Sequence, residues 1–210
     1  MNLPTQQQCL DYFAEYKVPA NIKDHCLAVQ KVAVLLAKEL HQAGVPINVE
    51  LVSVGAVLHD LFKFASLKDI TSTKYHQRTF SDAEIAMRNN LRAKFPGKYE
   101  NEIAFEIFKD QYPELAVVLR NEGDPHLRTR SWEDSVLHYA DYRIFQEAVV
   151  SLDQRFAYLS EVYKGGNDFW QEYLQYCKDE EKKIFAHLGF TPEQLQQQLQ
   201  QQKQKIEGDM

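Results

Sequence analysis

Asn48-Val49-Glu50-Leu51-Val52-Ser53-Val54-Gly55-Ala56-Val57-Leu58-His59-Asp60-Leu61-Phe62-Lys63 is an apolar run with an imidazole and a carboxylate set into its end. Asn48 carries the side chain of a helix N-cap, and Leu51, Val52, Gly55, Leu58 and Phe62 follow at helical spacing. The pattern predicts one helix reaching Lys63 or just beyond, with His59 and Asp60 in its last turns. Upstream, Ile22, Cys26, Val29, Val32, Leu36 and Leu40 form the inward stripe of a helix over about 21–43, stopped by Gly44, with His25 beside the stripe. Before it, Thr5 caps a shorter helix bearing Cys9, Tyr12, Phe13 and Tyr16, which Pro19 ends.

Downstream, residues 65–80 are polar and without apolar rhythm, which reads as a long loop. Ser81 to Glu84 is a capping-box pattern opening a helix to about Phe95, and shorter helices follow at about 98–109 and 113–121. Ser131 opens a strong helix with Val136, Leu137, Ala140, Ile144, Phe145 and Ala148 inward, predicted to extend past Phe156, and Asp141 falls on that inward face. After the Gly165-Gly166-Asn167 interruption comes a helix carrying Phe169, Trp170, Tyr173, Cys177, Ile184 and Phe185, stopped by Gly189. The aromatic series there is simplest as core or as the interface of a homodimer. No alternating strand pattern of useful length occurs.

These features predict an all-α helical bundle forming a single domain over residues 1–190, with 191–210 as a glutamine-rich peripheral helix or tail. That tail holds eight glutamines between Gln194 and Gln204, and only Leu195 and Leu199 as large apolar residues before Ile206. Deleting 192–210 is therefore expected to leave folding intact. A chain of 210 residues can bury a core without disulfides. Its 24 Lys and Arg against 30 Asp and Glu give a net charge of −6, which argues against an extended nucleic-acid surface. Three cysteines, Cys9, Cys26 and Cys177, have no metal or disulfide spacing and fit a reducing compartment. The N-terminus lacks a signal pattern, and no run approaches the ~18 apolar residues of a membrane span. A soluble, cytoplasmic protein with no membrane partner is expected.

The chemistry lies in His25, His59, Asp60 and Asp141, all on or beside apolar faces. Burying a carboxylate without a partner costs several kcal/mol, and Asp60 and Asp141 sit among Leu58, Leu61, Leu137 and Ile144. Two imidazoles and two carboxylates make a mixed nitrogen and oxygen set suited to one divalent transition metal. A local His138–Asp141 ion pair, three residues apart on one helix, is a rival way to satisfy Asp141.

The separations, 34 residues from His25 to His59 and 81 from Asp60 to Asp141, together with the Leu58-His59-Asp60-Leu61-Phe62-Lys63 stretch, resemble the H…HD…D pattern of HD-domain metal-dependent phosphohydrolases over roughly residues 20–150. The resemblance implies His25, His59, Asp60 and Asp141 as ligands of one divalent ion (Mn, Fe, Co, Ni, Zn or Mg). Phe62 stands where one branch has glycine, and no Gly-Tyr-Pro signature or acidic pair follows, which disfavours cyclic-di-GMP and alarmone hydrolysis. Two-metal members, including a di-iron oxidation branch, carry extra histidines. Here only His76, His126 and His138 are available, with His126 the best placed. The expected activity is hydrolysis of a small phosphorylated substrate, a nucleotide or another phosphate ester, by metal-activated water. Asp60 would orient the water and Lys63 would contact the phosphate, although a lysine there also suits a helix C-terminus. Lys74, His76 and Arg78 could form an anion-binding lid or only a solvated loop. The alternative is a non-catalytic HD module that binds a nucleotide or a structural metal and signals to a partner protein.

Overall fold

The computed structural model describes residues 1–163 and 166–208, so Gly165 of the Gly165-Gly166 break lies outside the described residues. The fold is all-α: eleven helices and one two-residue-stranded hairpin among the described residues. Helix α1 (Gln6–Glu15) starts on Thr5, whose hydroxyl accepts from the Gln8 N–H at 3.2 Å while Gln8 returns a bond to the Thr5 N–H at 2.8 Å. Pro19 is the N-cap of α2 (Ala20–Gln42); it opens the second helix, and α1 has already ended at Glu15. A residue without an N–H belongs at a helix start, where that donor is orphaned anyway. Gly44, at φ +85°, closes α2 in a left-handed conformation that favours glycine.

Helix α3 (Val49–Leu58) is capped by Asn48, which accepts from the Leu51 N–H at 3.0 Å. From Leu51 to Leu58 only Ser53 is not buried, and a helix apolar on all sides belongs in the middle of a bundle. It packs against α2, α7 (Pro113–Glu122) and α8 (Trp132–Tyr142). Gly55 permits that approach, since a Cβ there would stand 3.2 Å from Leu137 Cδ2 and 3.4 Å from Val118 Cγ1.

Two helix predictions require correction. The first concerns α3, which stops at Leu58 and does not reach Lys63. His59 Nδ1 donates to the Ala56 carbonyl at 2.8 Å, and the Leu61→Leu58 and Lys63→Asp60 backbone bonds span three residues, so the chain tightens into a turn before one-turn α4 (Lys63–Ser66). The apolar rhythm of Leu61 and Phe62 continues across the turn because both remain core residues. The second concerns α8, which ends at Tyr142 and does not run past Phe156. Strands β1 (Ile144–Phe145) and β2 (Ala148–Val149) form a hairpin with Gln146 at φ +58°, and Arg143 Nε donates to the Val150 carbonyl at 2.6 Å. Ser151 then caps α9 (Leu152–Val162) through a capping box with Gln154, a stronger start signal than the continuing periodicity.

Helices α5 (Asp82–Lys94) and α6 (Glu100–Phe108) follow the polar loop, and α10 (Asn167–Phe185) packs on α8 and α9. A 3-10 turn at Pro192–Gln194 leads into α11 (Leu195–Gly208). This end is anchored: Leu195 is fully buried, Leu199 packs against the core, and Arg143 Nη2 donates to the Pro192 carbonyl at 3.1 Å. The expectation that 192–210 can be removed without loss is therefore corrected. Leu195→Ala is expected to cost about 2–5 kcal/mol in chemical denaturation, and deletion from Pro192 more, whereas truncation after Lys203 should change the midpoint little. Equal midpoints for all three would show that Leu195 contributes nothing to the core.

Candidate metal centre

The turn after α3, the first third of α2 and the end of α8 converge. From α2, His25 donates through Nδ1 to the Gln146 carbonyl at 3.0 Å and sets Nε2 2.8 Å from Asp141 Oδ1. From the turn, His59 donates through Nδ1 to Ala56 and sets Nε2 3.6 Å from Asp141 Oδ1 and 3.8 Å from Asp60 Oδ2. The two rings lie 5.5 Å apart. One ligand atom from each of His25, His59 and Asp60 lies within 4.8 Å of the others, a group that could hold a metal ion, and Asp141 adjoins it through both imidazoles.

The backbone carbonyls decide the tautomers, because a carbonyl can only accept. Each Nδ1 therefore carries its hydrogen, and each Nε2 of a neutral ring turns a lone pair towards a carboxylate. Two acceptors facing one another repel, so a cation between them or a proton on the ring is required. His59 Nε2 is enclosed and has no hydrogen-bond partner, which makes the point at one atom. An imidazole oriented by a backbone carbonyl, with its other nitrogen free beside carboxylates, is how histidine metal ligands are arranged. The donor set fits a divalent ion.

Without the ion the same charges are met by protons. Burial opposes charging His59, yet the surroundings of Cys26, Asp60 and Asp141 outweigh it and hold its pKa well above the usual histidine value. Burial would also raise Asp141, but the bond to His25 and the proximity of His59 keep its carboxyl well below the ordinary range. For Asp60 burial is outweighed chiefly by Lys63 and then His59. Ring protons and a metal ion are alternative ways of satisfying one pair of acids, so metal uptake and proton release are linked.

Lys63 stands 3.5 Å from Asp60 Oδ1 and 2.6 Å from Glu100 Oε1, and Ser66 holds the other Glu100 oxygen. His25, Asp60, Lys63 and Asp141 open onto a cleft of about 500 Å³ whose lining also includes His76 and Arg78 from the 65–80 loop. Lys74 turns instead to Glu161 on the surface. Among the three spare histidines only His76 lines the cleft. The predicted rival pairing of Asp141 with His138 is not made: fully buried His138 bonds Glu180 at 2.6 Å and Tyr173 at 2.7 Å.

Three contributors escaped the sequence reading. The Gln146 carbonyl orients His25 from a left-handed turn, and a backbone oxygen leaves no residue-type signal. Arg155 lines the cleft from α9, a helix the predicted long α8 had absorbed. Buried Glu122 has its pKa pushed up to about 7, first by burial and then by Asp141 and Asp60 against the pull of His59 and Lys63, which places it within the centre's field. A signal for it existed: Leu115, Val118, Leu119 and Glu122 share one helical stripe, the criterion that singled out Asp141.

Among known proteins, the family model of the HD domain matches residues 22–143, more than half of the chain. That span contains His25, His59, Asp60, Asp141 and Lys63. No curated protein and no solved structure matches the chain. No helix among the described residues is long and apolar enough to cross a membrane.

Proposed function

This chain belongs to the HD-domain family, and from that membership and the geometry of the centre we propose that it is a metal-dependent phosphohydrolase acting on a nucleotide or another small phosphate ester. The carrying observation is the pair of imidazoles whose Nδ1 atoms are spoken for by Gln146 and Ala56 and whose Nε2 atoms converge on Asp60 and Asp141. His25, His59, Asp60 and Asp141 would hold one divalent ion, which when bound supplies Lewis acidity and a hydroxide from water near neutral pH. Asp60 reaches both the centre and the cleft and would orient the attacking water. Lys63, between Asp60 and Glu100, keeps Asp60 ionised and presents its ammonium to the same cleft, where a phosphoryl oxygen gains from it.

The test is turnover of a panel of phosphoesters by purified protein loaded separately with Mn, Fe, Co, Ni, Zn and Mg. Hydrolysis of at least one ester that stops on chelation is expected. Stable metal binding without turnover of any ester would overturn the enzyme and favour a module that binds a nucleotide and signals. Within the enzyme reading, Lys63→Ala should raise KM about tenfold and change kcat less, because a phosphate contact made equally in ground and transition states is uniform binding. Unchanged KM with a fall in kcat alone would place Lys63 with Asp60 and not with the substrate.

A further inference from the structure

Among the described residues, Arg155 is the arginine that has an enclosed donor and no acceptor for it. Its Nε is buried and without an acceptor, and the side chain makes no hydrogen bond or ion pair among the described residues. Its guanidinium lies 5.5 Å from the Tyr158 ring centroid and 5.9 Å from that of Phe145. Ring contacts of this kind engage the flat face and consume none of the five N–H donors. The other enclosed arginines are satisfied: Arg143 by Glu181 and two carbonyls, Arg130 by the Asn121 and Asp124 carbonyls and Tyr176. A buried polar donor left unmet is costly, more so when charged, so an unmet guanidinium in a cleft wall is suited to an anionic ligand.

The surroundings identify the sign of that ligand. His76 donates or accepts at the Tyr158 hydroxyl at 2.9 Å, and its pKa is lowered first by burial and then by Arg78, Arg155 and His25. The loop side of the cleft thus gathers His76, Arg78 and Arg155, and it reaches electrostatically as far as His25 of the metal centre. Arg78 donates to the Asp69 and Thr71 carbonyls and lies in the field of the Asp69 carboxylate, Glu161 is taken by Lys74 and Tyr75, and Glu147, the acid of the lining outside the metal centre, is exposed and makes no bond to Arg155. Lys63, by contrast, is already shared between two carboxylates.

We propose that Arg155, with His76, forms a second anion subsite of the cleft, so that the preferred substrate carries a second phosphate-like group besides the one presented to the metal centre. This rests on the phosphohydrolase reading for the word substrate, but the subsite itself is a binding property. The chemistry selected is a diphosphate or a bisphosphate over a monophosphate, with planar N–H pairs meeting phosphate oxygens.

The experiment is calorimetric titration of the Mn-loaded full chain with inorganic phosphate and with pyrophosphate, repeated on Arg155→Gln and Arg155→Lys, alongside steady-state hydrolysis of adenosine mono- and diphosphate. Wild type should bind pyrophosphate at least tenfold tighter than phosphate. Arg155→Gln should lose that ratio while keeping phosphate affinity and melting temperature, and Arg155→Lys should recover part of it. Equal affinity for the two anions in wild type, or an unchanged ratio in Arg155→Gln, overturns the subsite. If the pyrophosphate preference is present and depends on Arg155 while neither these nucleotides nor any ester of the wider panel is hydrolysed, the subsite stands and the hydrolase reading falls. If nucleotides are hydrolysed with no such preference, the reverse holds.

Discussion

Protein carrying His59→Ala with Asp60→Ala should retain no divalent ion after loading and desalting, and should turn over no phosphoester, where wild type retains about one ion per chain. The two substitutions remove the enclosed imidazole nitrogen with no other partner and one of the two carboxylates it faces. Metal affinity that rests on a few ligands does not survive the loss of two of them. Asp60→Asn isolates the charge from the shape. It keeps an oxygen near His59 but loses the negative charge that the ion must meet, so turnover should vanish while the fold persists. Elemental analysis and circular dichroism on the same samples separate the outcomes. Retention of a wild-type amount of metal by the double variant would show that the ion, if bound, is held elsewhere.

The centre was legible to the extent that its groups lie on or beside apolar faces. Asp141 falls on an inward face, His59 and Asp60 end an apolar run, and His25 stands beside a stripe, and the structure brings all of them together. Glu122 lies on an apolar stripe in the same way, but no motif sets it apart in the sequence. What periodicity cannot register is a turn whose residues stay buried. Leu61 and Phe62 keep the helical rhythm after α3 has ended, and Ile144 keeps it after α8 has ended, since a core wants apolar side chains whatever the backbone does. The α8 break matters more for function. It delivers the Gln146 carbonyl to His25 and starts α9, which carries Arg155 into the cleft. The Ser151 and Gln154 capping box marked that break in the sequence. Local capping chemistry outweighs periodicity where the two disagree.

Glu180→Leu is expected to lower the melting temperature by roughly 5 °C or more, from a loss of about 2–3 kcal/mol on removing the carboxylate acceptor of a buried hydrogen bond. Glu180 on α10 is 5% exposed and accepts from Nδ1 of fully buried His138 on α8. Tyr173 fills the other ring nitrogen, and the Tyr142 hydroxyl donates to Tyr173 at 3.3 Å, so one hydrogen-bond chain ties α10 to the end of α8 beside Asp141. Removing the carboxylate strands the imidazole N–H among aromatic rings that offer it no acceptor. Removing both polar groups should cost much less, because apolar replacements of similar volume avoid the desolvation that the pair only offsets. His138→Phe with Glu180→Leu should therefore recover more than half of the lost stability, with the Tyr173 hydroxyl limiting full recovery. Metal retention should follow the same order, since α8 positions Asp141 one turn from His138. A single variant as stable as wild type would show that packing alone holds α8 in place. A double variant less stable than the single would show that the pair contributes more through its hydrogen bonds than its burial costs.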